Sequence, residues 1–159
     1  MKRLTVEKII LTLLLTACWL WMPVAGYESN VYEDVDVFSH ATYIISHVNI
    51  WHLAGNLFVL WLLRRKLWLV PSVVMAVLCS FLPVFGIWPI GMTVGFSGVL
   101  FAIIGIKYGV LCRSGMPVKE FCRKALPFAV VGIVIPHINW CLHLYCLLAG
   151  FVYGRYNRD

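Results

Sequence analysis

LWLLRRKLWLVPSVVMAVLCSFL, residues 60–82, sets three consecutive basic residues between two apolar runs. Such a break reads as the turn between two membrane-spanning helices, because charged side chains leave the hydrocarbon wherever they can. Under the positive-inside rule, Arg64, Arg65 and Lys66 then lie on the cytoplasmic side.

Working outward, the same punctuation recurs. All 13 Lys and Arg fall in four clusters: Lys2, Arg3, Lys8; Arg64, Arg65, Lys66; Lys107, Arg113, Lys119, Arg123, Lys124; and Arg155, Arg158. The stretches between them hold Glu28, Glu33, Asp34, Asp36 and all five histidines, and no basic residue. Each stretch therefore leaves the cytoplasm and returns as a helical hairpin. Three hairpins make six spans with both termini inside.

Composition supports this reading. The 159 residues are 62% hydrophobic and 13% charged, with a mean hydropathy of +0.87, outside the usual range of a soluble domain. A formal charge of +6 would suit nucleic acid if it were gathered on one face, but it is spread over four inner turns. The expectation is no nucleic-acid partner and a lipid bilayer as surroundings. The six cysteines (18, 79, 112, 122, 141, 146) lack the spacing of a zinc site or a disulfide framework and read as small packing residues.

The predicted architecture is an all-α integral membrane protein, one domain over 1–159. Its approximate spans are 8–26, 50–64, 67–85, 97–110, 118–136 and 140–154. Leu15-Thr16-Ala17-Cys18 resembles a lipoprotein cleavage box. However, Trp19 to Met22 prolong the apolar run to about Gly26, which favours an uncleaved first span. Pro83 and Pro89 break the chain near the outer end of the third span. Pro117 suits the first turn of the fifth. The break Pro136-His137-Ile138-Asn139 divides the last apolar run into two helices.

Polar groups inside spans are costly, so their positions are informative. His52 and Asn56 lie in the second span, Ser97 in the fourth and His143 in the sixth. All three spans run inward. His52 is 12 residues before Arg64, His143 is 12 before Arg155, and Ser97 is 10 before Lys107 and 16 before Arg113. At 1.5 Å per residue, these three lie roughly 15–24 Å above the inner charges, with Asn56 about one turn lower than His52. They share one layer in the outer half of the bilayer.

Their lateral positions are also constrained. Steps of four from Ser97 reach Phe101, Gly105 and Gly109 on one helix face. Steps of seven and eleven from His143 reach Gly150 and Gly154. Seams of small residues let membrane helices approach closely. If these two seams face each other, Ser97 and His143 meet above them. A lone serine in a span is usually bonded to its own backbone. Shared depth, facing seams and complementary chemistry point instead to a serine nucleophile.

A serine hydroxyl needs a base to take its proton, and His143 can do so near neutral pH. The tetrahedral intermediate needs preorganised donors, for which His52, the Asn56 amide and the Ser97 backbone N–H are candidates. Gly95 and Gly98 let the backbone turn and approach a substrate closely. Apart from Glu120, at the inner end of the fifth span among Lys119, Arg123 and Lys124, no Asp or Glu lies within a span, so a dyad is the only option. Phe101 is placed to touch the imidazole face.

These motifs, read together, resemble the rhomboid intramembrane serine proteases. His47-Val-Asn-Ile-Trp-His52-Leu-Ala-Gly-Asn56 looks like the family's second-span signature. Gly95-Phe96-Ser97-Gly98 matches its GxSG, and Asn139-Trp140-Cys141-Leu142-His143 with Gly150 and Gly154 resembles its sixth span. The resemblance implies a six-helix bundle of rhomboid type. It implies hydrolysis of peptide bonds in or beside transmembrane segments of single-span membrane proteins, without cofactor or metal. Ser97 would be the nucleophile, His143 the base, and His52 and Asn56 oxyanion donors. Three positions depart from the family pattern: Cys146 stands where glycine is usual, Phe101 where tyrosine is common, and the first outer loop lacks a Trp-Arg pair.

The compact plan suggests a bacterial inner membrane, with the site opening to the extracytoplasmic side. A catalytically silent relative that binds transmembrane clients is the alternative, but it has no reason to keep both Ser97 and His143. A small transporter would commonly carry an acidic site in the membrane, and apart from Glu120 at the inner end of the fifth span there is none. Substrate, cleavage site and oligomeric state are not legible in the chain.

Overall fold

A computed structural model of the chain describes residues 2–22, 27–28, 36–64, 66–83, 92–134 and 139–157. Among these, helices α1 (Lys2–Trp21), α2 (Ser39–Thr42), α3 (Ile50–Leu62), α4 (Leu69–Ser80), α5 (Ser97–Arg113), α6 (Val118–Val134) and α7 (Trp140–Tyr156) carry the architecture. A 3₁₀ turn, Tyr43–Ile45, follows α2. The short strands β1 (Tyr27–Glu28) and β2 (Met92–Thr93) pair antiparallel, Tyr27 with Thr93 and Glu28 with Met92.

The helix starts have local causes. Asn49 precedes α3 with extended backbone, and its side-chain oxygen accepts the His52 N–H at 2.9 Å. Asn139 does the same for α7, accepting from Leu142 N–H at 3.0 Å. Each satisfies one of the amide donors that a helix start leaves without an internal partner. At the opposite end of α3, Lys8 of α1 donates to the carbonyls of Trp61, at 3.2 Å, and Leu63. A cation on the last carbonyls complements both their unpaired acceptors and the helix dipole.

Helix α5 is the centre of the molecule. Val99, Leu100, Ala102, Ile103 and Ile106 are buried on several of its sides, and α7 packs closely along it. Glycines make this approach possible. A Cβ on Gly105 or Gly109 would strike the backbone carbonyl of Leu147 or Phe151. One on Gly150 or Gly154 would strike that of Ala102 or Ile106. The two helices therefore meet backbone to backbone, a packing that membrane helices favour.

The outer surface is apolar. Ile10, Leu13 and Trp21 of α1, Trp51 and Phe58 of α3, and Val70 and Leu78 of α4 are all exposed. Apolar surface this extensive belongs against lipid or a partner. One described helix, over Leu4–Trp21, has the length and hydropathy of a full span, whereas Ile50–Leu62 and Leu69–Ser80 are shorter apolar helices. The latter two rise roughly 18–20 Å, below the ~30 Å of a typical hydrocarbon core.

Several boundaries differ from the expected spans. The first helix begins at Lys2, since its basic residues do not interrupt helical geometry, and it ends at Trp21 rather than near 26. The second stops at Leu62, where Leu63 turns extended, instead of at 64. The third covers Leu69–Ser80 rather than 67–85, ending before Pro83. The fourth and sixth run past 110 and 154, to Arg113 and Tyr156, carrying their charges as helical residues. The fifth starts just after Pro117 and passes through Pro127. Gly26, Pro89 and the Pro136–Ile138 break lie outside the described residues. The β1–β2 pair is an addition to the all-helical expectation.

Candidate active site

Ser97 opens α5 and His143 lies in the first turn of α7, so packing of these helices brings the two together. Ser97 Oγ and His143 Nε2 are 2.7 Å apart, hydrogen-bonding distance for a hydroxyl and an imidazole. The Phe101 ring, one turn below Ser97, stacks on the His143 ring at 4.4 Å between centroids and 8° between planes. The aromatic face thus sets the plane of the imidazole.

The segment leading into Ser97 is shaped by Gly95, whose φ of 114° lies in the region that favours glycine. A Cβ there would sit 2.6 Å from Cε1 and 2.7 Å from Nε2 of His52, and 3.4 Å from Nδ2 of Asn56. His52 and Asn56 therefore face the backbone two residues before the serine. Asn56 is buried, and its amide donates to the His52 carbonyl at 3.1 Å. The Gly95 N–H donates to the Tyr43 carbonyl at 2.8 Å, which fixes the loop from the other side.

Ser97, His143, Phe101, His52, Asn56 and Gly95 thus form one group. Gly98 is adjacent but turned elsewhere. A Cβ at Gly98 would lie 3.2 Å from Tyr43 Oη, 3.5 Å from Cys146 Sγ and 3.7 Å from Ala76 Cβ, so this glycine admits a helix contact. Gly150 and Gly154 lie two and three turns below His143 in the seam and do not touch the group. Among the described residues no cluster of three or more His, Cys, Asp or Glu could hold a metal ion.

Three neighbours were given no role by the reading from sequence. Tyr43 is fully buried, its hydroxyl donating to the Ala76 carbonyl at 3.0 Å while its own carbonyl holds Gly95. His40 lies 2.9 Å through Nδ1 from Ser80 Oγ and stacks on Phe81 at 4.0 Å, which pins α2 to α4. Asn139 links α7 to β2 through Thr93, at 2.9 Å. Only the last carried a signal, since an Asn just before an apolar helix is a common cap.

His47 packs edge-on to His52 at 5.2 Å between centroids. Its ring nitrogens are buried without a hydrogen-bond partner. Burial, and then the neighbouring His52, push its pKa down to about 4. His40 is also held below the usual imidazole range, by burial foremost. Both rings are therefore neutral at pH 7.

The family model described as the Rhomboid domain matches residues 34–158. Neither curated proteins nor solved structures yield a match to the chain. The matched region holds α2 through α7, β2 and every residue of the group around Ser97, and the chain belongs to the rhomboid family of membrane proteins.

Proposed function

We propose that the protein is an intramembrane serine protease working through a Ser97–His143 dyad. The 2.7 Å approach of Ser97 Oγ to His143 Nε2, with the imidazole stacked on Phe101, carries this reading. With His143 neutral, Nε2 accepts the Ser97 proton as the hydroxyl oxygen attacks a substrate carbonyl. The His52 ring, the Asn56 amide and the Ser97 backbone N–H donate to the oxyanion. His143 then passes its proton to the departing amine. A water molecule, activated by the same imidazole, releases the acyl group. No cofactor takes part.

Substrates in this reading are single-span membrane proteins cut within or beside their spans. Helices α1 and α3–α7 cross a bacterial inner membrane with both termini cytoplasmic, following the basic clusters. The site opens outward. Helices α3 and α4 are short for a full bilayer and favour local thinning around the protein. The test is incubation of the purified protein in liposomes with a model single-span substrate, beside Ser97→Ala and His143→Ala. Wild-type cleavage lost in both variants is expected; cleavage surviving in either defeats the dyad.

A further inference from the structure

A dyad without a carboxylate has no third group to hold the base in register. Stacking on Phe101 fixes the plane of the His143 ring, and the glycine seam fixes how closely α7 approaches α5. Both contacts act at or below the level of His143, and the turn that carries it has still to be held beside the segment entering Ser97. A shift of about 1 Å between reacting groups can cost as much as 100-fold in rate. Some contact near the outer end of α7 has to supply the register.

Asn139 and Thr93 make that contact. Asn139 stands four residues before His143, and Thr93 four before Ser97. The Asn139 Nδ2 donates to Thr93 Oγ1 at 2.9 Å. At the same time, Oδ1 accepts from the Leu142 N–H at 3.0 Å and the Asn139 carbonyl accepts from the His143 N–H at 3.3 Å. One side chain therefore grips the first turn of the base's helix and the strand that runs into the nucleophile. Both residues are buried, at 4% and 6% exposure for Thr93 and Asn139, so water does not compete for the bond.

We propose that Asn139 and Thr93 are positioning residues, a clasp that sets the Ser97–His143 distance. The inference rests on the dyad reading above. Its chemistry is specific: the threonine hydroxyl, not its methyl, is the part that matters. Thr93→Val removes the acceptor while preserving shape and leaving the helix cap intact, and Thr93→Ser keeps the hydroxyl. Asn139→Ser keeps a cap oxygen but no longer reaches Thr93.

The experiment uses the full chain in lipid nanodiscs, with the folded fraction isolated by size exclusion. A fluorophosphonate probe reports the reactivity of Ser97, and a single-span substrate reports kcat and KM separately. Thr93→Val and Asn139→Ser are expected to lower both the labelling rate and kcat roughly 10- to 100-fold with KM nearly unchanged. Thr93→Ser stays near the wild-type rate. Equal labelling of wild type and Thr93→Val overturns the clasp, as does a Thr93→Ser rate no better than that of Thr93→Val. A lower melting temperature with unchanged labelling of the folded fraction also overturns it, since a purely structural bond would behave that way. A wild-type protein that neither labels nor cleaves defeats the dyad itself and the clasp with it.

Discussion

Helix α5 meets α7 on one side and α3 on another, and the two contacts are built differently. Along α7 the backbones touch, with glycines on both helices admitting carbonyl oxygens of the other. Helix α3 packs on α5 far more sparsely, and the Cβ position of its Gly55 has nothing within 4 Å. The first contact carries the proposed nucleophile and base, the second the candidate oxyanion donors. The proposed proton-transfer pair thus sits on the most constrained interface. Groups that have only to face a developing charge sit on a looser one, anchored at Gly95.

The largest effect should come from breaking the tight side. Gly150→Val drives a branched side chain into the Ala102 carbonyl and should cost about 3 kcal/mol or more, seen as loss of folded protein in detergent. A folded variant with wild-type melting behaviour would mean that the helices separate freely.

Acid should weaken the α3 side next. The unfolded chain protonates His47 near pH 6.5, while the folded chain resists until about 4. The folded state then binds fewer protons between those values. The contribution of His47 is complete above 6.5 and is lost as pH falls toward 4, by up to about 3 kcal/mol. His40, lowered by burial as well, acts in the same direction. Thermal unfolding from pH 7.5 to 4 should show this loss, with a shallower slope in His47→Phe.

On the same side, Asn56→Ala should lower kcat by about 100-fold, as removal of one oxyanion donor does elsewhere, with a smaller effect on stability. Equal loss of folded protein and turnover would make Asn56 structural. The smallest effect is a gain. Gly55→Ala meets no neighbour, and its better helix propensity should stabilise by about 0.5–1 kcal/mol in thermal unfolding.

The tight side was legible in the chain because helical periodicity converts spacing into direction. Counting by four from Ser97 and by seven and eleven from His143 set glycines on one face of each helix, and those glycines meet. Counting from the basic clusters also put Ser97 and His143 at one height, and the two lie side by side. What surrounds the site was harder to read. Tyr43 and the β1–β2 pair lie in segments without periodicity, so no spacing rule aims Tyr43 at Ala76 or pairs Tyr27 with Thr93. Gly98 has a neighbourhood that spacing did not reveal either. Its place beside the serine suggested substrate approach, and a Cβ there would face Tyr43 and Cys146.

The most direct test is the rate at which a fluorophosphonate modifies Ser97, mapped by peptide mass spectrometry in wild type and His143→Ala. The account predicts one adduct, on Ser97, slowed at least about 100-fold when the imidazole is removed. An adduct formed elsewhere, or formed on Ser97 equally fast in both proteins, would contradict it.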